Sequence, residues 1–301
     1  MNDLIIIGGG PAGLTAAIYA IRKRVNVMLI SKDLGGKTNY RLSLPWIEDY
    51  QVIRGLEFVS KFRNELEYLE YARDLDSVET VVRKDNIFTV TTKSGKEYKS
   101  RALIVASGTR QLRINVPGEK EYTMRGLCYS ALSYAPLFID KKAVVIGNDE
   151  LAFRSTGELA TVAKHVTLIT DGDGQQNSAL GRKLSSAKNV AILEKTTVVE
   201  VVGDTYARTV VCKDSAGAEH RISADGIFVE MALTPNTQML GDLVALDERG
   251  RIIVDNANRT SAPGVFAAGD VTNTYAEQVL VAIGEGAKAA LSAYDFLLPM
   301  L

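Results

Sequence analysis

The 301-residue chain is poor in the residues that carry much of enzyme chemistry. It has two cysteines, Cys128 and Cys212, too few and too far apart for a disulfide framework or a metal-ligand spacing. Its two histidines, His165 and His220, are distant in sequence and lack a ligand or catalytic pattern. Net charge is −1, and nothing in the sequence suggests nucleic-acid binding or a basic membrane patch. No stretch approaches the ~20 apolar residues of a membrane helix. The apolar run Leu4–Ile7 is too short for a secretory signal and leads straight into glycines. These absences point to a soluble cytoplasmic protein of one large domain or two smaller ones.

What is present is organised around the first fifteen residues. Leu4-Ile5-Ile6-Ile7 reads as a short buried strand, Gly8-Gly9-Gly10-Pro11-Ala12-Gly13 as a turn, and Leu14 to Ala20 as a helix. In this strand–turn–helix context each glycine has a reason. Gly8 permits the tight turn, Gly10 lets the backbone approach a pyrophosphate, and Gly13 lets the helix pack on the strand. The first helical N–H groups and the helix dipole then favour phosphate. Val25–Ile30 is the second strand of the βαβ unit. Its end, Ser31-Lys32-Asp33, stands at the spacing of a group that contacts the adenosine ribose. Ser31 and Lys32 are the first candidates and Asp33 a further one.

The chain then repeats itself. After a loop, Gly35-Gly36-Lys37-Thr38, and a helix from Leu56, alternating strands run over Val78–Val82 and Ile87–Thr92, with a turn at Ser94-Gly95. The apolar strand Ala102–Ala106 ends in Ser107-Gly108-Thr109, and Val116-Pro117-Gly118-Glu119 marks a crossover. A second βαβ unit begins at Lys142, with its own turn, Gly147-Asn148-Asp149-Glu150-Leu151-Ala152. Strands near Val198–Val202 and Thr209–Cys212 form a hairpin with Ser215-Ala216-Gly217 in its turn. The chain closes with the strand Val265–Ala268, then Gly269-Asp270, and a helix opened by Glu277-Gln278-Val279. The expected fold is α/β: two Rossmann-like, three-layer nucleotide-binding domains. The second, 116–241, is inserted into the first, 1–115 and 242–301.

The order Gly8–Gly13, Ala106-Ser107-Gly108-Thr109, Val116-Pro117-Gly118-Glu119, a second Rossmann unit, and Gly264-Val265-Phe266-Ala267-Ala268-Gly269-Asp270 resembles the low-molecular-weight thioredoxin reductase family. The stretch Glu277-Gln278-Val279 with Ala282-Ile283-Gly284-Glu285-Gly286 is similar to that family's flavin-proximal helix. The resemblance implies an FAD-dependent oxidoreductase and a homodimer. It implies FAD held by Gly8, Gly10, Pro11, Ala12, Gly13, Ser31, Lys32, Gly36, Thr38, Val81, Ala106, Ser107, Gly108, Gly269, Asp270, Gln278 and Val279. Asp270 is then placed to accept from ribityl hydroxyls, and the helix from Gln278 to direct N–H groups at the flavin's pyrimidine edge, where its positive end favours a reduced, negatively charged flavin.

Two family features are missing. The positions matching the redox dithiol are Ser130 and Ser133, followed by Tyr134 where the family has an acid. A serine hydroxyl neither forms a disulfide nor accepts flavin electrons as a thiolate does. Cys128 stands two positions too early and reads as a small buried hydrophobe, and Cys212 reads as strand core. In the second turn Asp149 replaces the middle glycine, beside Glu150. Like charges at 4 Å cost about 1 kcal/mol in water and about 4 kcal/mol near a protein surface, so this pair repels a pyrophosphate. Thr170-Asp171-Gly172-Asp173-Gly174 has no arginine for a 2′-phosphate, which disfavours NADPH. Asp171 stands where it could hold the ribose of NADH or lie solvated in a loop. The leading expectation is electron exchange directly at the flavin with a carrier protein such as ferredoxin or flavodoxin, or with a small acceptor. The alternatives are a non-catalytic flavin-binding or regulatory protein, and a ferredoxin–NAD(P) reductase-like or NADH-using enzyme. Trp46, Tyr129, Tyr134 and Tyr275 are candidates to flank the isoalloxazine, with core packing as the competing account.

Overall fold

The computed structural model describes residues 1–47, 56–172 and 175–301. Its packing separates two compact units, one of residues 1–39, 56–110 and 234–301, the other of 40–47 and 111–233. Residues 40–47 belong to the second unit because Leu42 and Leu44 bury in its core with Phe138 and Phe228, and Trp46 packs against the same cluster.

The first unit is built on a seven-stranded sheet. Its order is Arg73–Asp74, Val27–Ile30, Asn2–Ile7, Glu97–Val105, Ile87–Thr92 and Val78–Lys84. The pairs on the Asn2–Ile7 side are parallel, and those from Glu97–Val105 to Val78–Lys84 are antiparallel. The nine-residue strand Glu97–Val105 serves both regimes. Its first half pairs antiparallel, as in Phe88 with Ser100, and its second half pairs parallel with Val265–Ala267. Leu4 to Ile7 are buried on both faces, which is why this strand reads as a continuous apolar run rather than an alternation.

One face of the sheet is covered by the helix Pro11–Arg22 and the 19-residue helix Val279–Leu297. These helices lie close because the contact residues are small. A methyl group at Gly286 would fall 2.1 Å from the carbonyl oxygen of Ala12, and Ala289, Ala290 and Ala293 are buried beside it. Gly284 faces open space instead. The other face buries Ile5, Ile7, Phe88, Val90, Val105, Ile252 and Val265. At about 1.5–3 kcal/mol per large apolar side chain, these two layers supply the main stabilisation of the unit.

The second unit repeats the plan. Five parallel strands stand in the order Val190–Leu193, His165–Ile169, Lys142–Ile146, Gly226–Val229 and Leu127–Cys128. The helix Glu150–Ala160 follows the second glycine turn. The antiparallel insert has three strands, Thr197–Gly203, Ala207–Lys213 and Glu219–Ser223. Ser215–Gly217 therefore turns the second hairpin, and residues 204–206 turn the first, which corrects the two-strand expectation. The third strand, Glu-His-Arg-Ile-Ser, is polar and mostly exposed, so it lacks an apolar alternation to mark it.

Val116–Glu119 is braced within this unit. Glu119 is buried, and its carboxylate accepts from the N–H groups of Ile114 (3.0 Å) and Asn115 (2.8 Å) and from the Tyr129 hydroxyl (3.0 Å). Three donors on one buried carboxylate satisfy its charge and fix the chain where it enters the unit.

Candidate flavin site and a capped second turn

The first glycine turn has the shape its spacing predicts. Gly8 adopts φ +109°, and a methyl group there would lie 2.3 Å from the carbonyl oxygen of Ala106. At Gly13 it would lie 1.8 Å from the carbonyl oxygen of Gly8. Gly10 differs from both. Its backbone is extended, with φ −72° and ψ −177°, and nothing lies within 4 Å of a built Cβ. So Gly10 is needed by neither backbone nor packing, and its missing side chain leaves open space at the N-terminus of the helix. There the N–H groups of Ala12 and Gly13 stand in the first turn, where helix geometry provides no carbonyl partner, and Pro11 is pre-set for the first helical position.

Other sequence-identified residues frame this space. Gly35 N–H donates to the Gly9 carbonyl at 2.7 Å, and a methyl group at Gly36 would be 3.1 Å from Gly10 Cα. Gly269 has φ +78°, and a methyl group there would be 3.1 Å from Ala12 Cβ. An open cradle, free helical N–H groups and backbone-to-backbone approaches suit a diphosphate, so the residues present fit FAD. Asp270 follows on the strand Val265–Ala267, and Gln278 caps the helix Val279–Leu297 in extended conformation.

Several side chains have roles that spacing does not reveal. Ser31 Oγ accepts from Gly9 N–H and donates to the Asp33 carbonyl, both at 2.7 Å. It pins the turn, and Lys32, beside it, is exposed. Thr38 Oγ1 turns back to the Gly35 carbonyl at 2.7 Å. The Val81 side chain is buried in the core. Ser107 Oγ donates to the Asn236 carbonyl at 2.6 Å, and Asn236 Nδ2 donates to the Ser107 carbonyl at 2.9 Å. Asn236 thus braces the Ala106–Gly108 loop, although no local pattern marks it. Lys37 likewise reads as a plain loop residue in the sequence, and its Nζ lies 2.6 Å from Asp270 Oδ2.

In the second unit, the turn keeps its first glycine for the same reason as Gly8: a methyl group at Gly147 would lie 2.1 Å from the Glu230 carbonyl oxygen. The middle position has changed its chemistry without changing its backbone. Asp149 has φ −102° and ψ −176°, close to Gly10. Its Oδ1 accepts from Leu151 N–H at 3.0 Å and Ala152 N–H at 3.3 Å. These N–H groups correspond to those of Ala12 and Gly13 in the first turn. A built-in carboxylate therefore caps the donors that a pyrophosphate would use. Asp171 Oδ1 accepts from Asn148 Nδ2 at 2.9 Å, which ties the ribose candidate to the same turn. Asp173 and Gly174 lie outside the described residues.

Ser130 and Ser133 are brought together, with their Oγ atoms 2.9 Å apart. Between them, Ala131 N–H donates to the buried carboxylate of Glu230. Cys128 is fully buried in the strand Leu127–Cys128, and burial pushes its thiol far above the ordinary range. It is held as a neutral thiol, unfit for nucleophilic exchange. Cys212 lies buried in its strand, as expected, and its Sγ donates to the His220 carbonyl. His220 faces Asp214 at an exposed turn.

The four aromatic candidates do not form one constellation. Trp46 packs edge-on against Phe138, with Nε1 donating to the Leu137 carbonyl. Tyr129 is buried on Glu119. The Tyr134 hydroxyl accepts from Leu42 N–H. Tyr275 is almost wholly exposed. Among the described residues no cluster of histidine, cysteine and carboxylate side chains could hold a metal ion, and no helix is long and apolar enough to cross a membrane.

The pattern of the pyridine nucleotide-disulphide oxidoreductase family matches residues 2–286. An alkyl hydroperoxide reductase component of Xanthomonas campestris pv. phaseoli is 36% identical over 98% of this chain, and the match covers 57% of that protein. The chain thus spans less than three-fifths of the length of such curated relatives. Among solved structures, thioredoxin reductase from Streptococcus pyogenes superposes with a TM-score of 0.88 at 30% identity, covering 99% of both chains. Thioredoxin reductase from Giardia duodenalis superposes with a TM-score of 0.87 at 27% identity over 99% of both chains. The chain belongs to the pyridine nucleotide-disulphide oxidoreductase family and has a thioredoxin reductase-like fold.

Proposed function

We propose that this flavoprotein exchanges electrons directly between FAD and a carrier protein such as ferredoxin or flavodoxin, or a small acceptor. It uses neither a dithiol nor a nicotinamide nucleotide. The observation that carries the reading is the Asp149 carboxylate seated on Leu151 and Ala152 N–H. It places negative charge where the reductant's diphosphate would bind, and the neighbouring Asp171 disfavours a 2′-phosphate. Reduction of a thioredoxin or of a similar disulfide requires thiol exchange, and the Ser130 and Ser133 hydroxyls do not perform it.

In this reading the division of labour is simple. Gly8–Gly13 and the first helical turn hold the FAD diphosphate, Asp270 holds the ribityl chain, and the N-terminus of Val279–Leu297 favours negative charge on the flavin. Bound FAD supplies the capacity to accept and donate electrons one or two at a time. The chain's role is to bind it, orient it and set the charge around it.

Mass spectrometry of ligands released from the purified protein tests the binding half, with about one FAD per chain and no NAD(H) or NADP(H) expected. A coupled disulfide-reduction assay tests the other half. With NADPH as donor, the wild-type protein should reduce a soluble aromatic disulfide no faster than free FAD does. Stoichiometric nicotinamide nucleotide, or steady NADPH-dependent disulfide turnover, would overturn the reading.

A further inference from the structure

The residue after the two loop glycines carries an inference that rests on the FAD reading. Lys37 is presented by the short helical turn Gly36–Asn39, which is tied to the first glycine turn. Gly35 N–H reaches the Gly9 carbonyl at 2.7 Å, and Asp33 Oδ1 accepts from Gly36 N–H at 2.9 Å. From that anchored base, Lys37 Nζ contacts Asp270 Oδ2 at 2.6 Å and donates to Thr109 Oγ1 at 3.0 Å. Three segments far apart in sequence meet at one ammonium. Thr109 is buried, and the Asp270 side chain is only 13% exposed.

Asp270 acts on Glu277, whose side chain reaches solvent and whose carboxyl is raised by partial desolvation and by the Asp270 charge, against the pull of Lys37, Arg251 and Arg249. Arg251 is itself engaged by Asp247 at 2.7 Å. Without Lys37, the Asp270 carboxylate would lose its ion-pair partner and face the group it holds uncompensated. A reduced flavin gains negative charge, so a nearby cation stabilises it and a nearby anion destabilises it.

We propose that Lys37 is a positioning residue that tunes the flavin. Its ammonium fixes the Asp270 side chain in place as an acceptor for the ribityl chain and adds positive charge that favours the reduced cofactor. The reading differs from a purely structural ion pair in what it moves. A structural pair contributes to folding, whereas Lys37 sets the flavin's midpoint potential.

The test compares the FAD-bound wild type with K37M, K37Q and K37R by dye-equilibrated redox titration, with FAD dissociation followed by flavin fluorescence. K37M and K37Q should shift the oxidised–reduced equilibrium about tenfold toward oxidised flavin, which is about 30 mV for a two-electron couple. K37R should stay close to the wild type. If both neutral variants lose FAD while K37R keeps it, the charge is needed to hold Asp270 in place, as proposed. An unchanged potential in FAD-bound K37M overturns the proposal. So does loss of FAD from all three variants, K37R included, which would assign Lys37 to packing. A wild type that binds no FAD would instead overturn the parent reading, and this one with it, a result distinct from a flavin-bearing protein with an unmoved potential.

Discussion

A Gly10→Asp variant is expected to fold and to lose FAD. The backbone at Gly10 is already that of Asp149, extended with negative φ, and open space surrounds the position of a Cβ. Neither strain nor a clash opposes the substitution. The new carboxylate would cap Ala12 and Gly13 N–H as Asp149 caps Leu151 and Ala152 N–H. FAD would then lose hydrogen bonds to a charged group, each about 1.5–3 kcal/mol, and meet a like charge costing roughly 1–4 kcal/mol more. Together these weaken binding by at least about 100-fold. Flavin absorbance per chain and a fluorescence titration of the apoprotein measure the effect, with circular dichroism confirming the fold. FAD binding within about threefold of the wild type would show that the diphosphate does not sit on this turn.

The reverse substitution should open the second turn. Asp149→Gly removes the carboxylate from Leu151 and Ala152 N–H while Gly147 keeps the turn tight against the Glu230 carbonyl. Exchanging a good N-cap for glycine costs only a few tenths of a kcal/mol, so the unit remains folded. Removing one like charge restores roughly 1–4 kcal/mol toward a diphosphate. NADH binding should therefore strengthen about tenfold or more, and NADH should be preferred to NADPH because Asp171 remains beside the turn. Isothermal titration of both nucleotides against wild type and variant reads this directly, with FAD content unchanged as the internal control. Equal NADH affinity in the two proteins would mean that the cap is not what keeps nucleotide away.

These two substitutions come from comparing the turns, and that comparison is legible in the sequence. Strand, glycine turn and helix recur at 2–22 and 142–160 because apolar runs and glycine spacing are local signals. The serines at 130 and 133 and the acid at 149 are also visible as departures from the resembled pattern. What the side chains do is not visible there. Asp149 could point into solvent on sequence grounds alone, and the geometry instead seats it on two N–H groups. Spacing makes Ser31 an adenosine contact, and its hydroxyl is engaged by Gly9 and Asp33. Lys37 and Asp270 are 233 positions apart, and Ser107 and Asn236 are 129 apart, so no window of sequence joins them. The exposed strand Glu219–Ser223 and the burial of Leu42 and Leu44 in the second core escape sequence reasoning for a related reason. Both depend on neighbours supplied by the fold rather than on periodicity.

The direct measurement of the central claim is anaerobic photometric titration of the FAD-bound protein with reduced ferredoxin or flavodoxin, and separately with NADH and NADPH. Bleaching of the flavin by the reduced carrier, with neither nicotinamide nucleotide bleaching it at comparable concentration, is the expected result. Rapid bleaching by NADPH and none by the carrier would contradict the account.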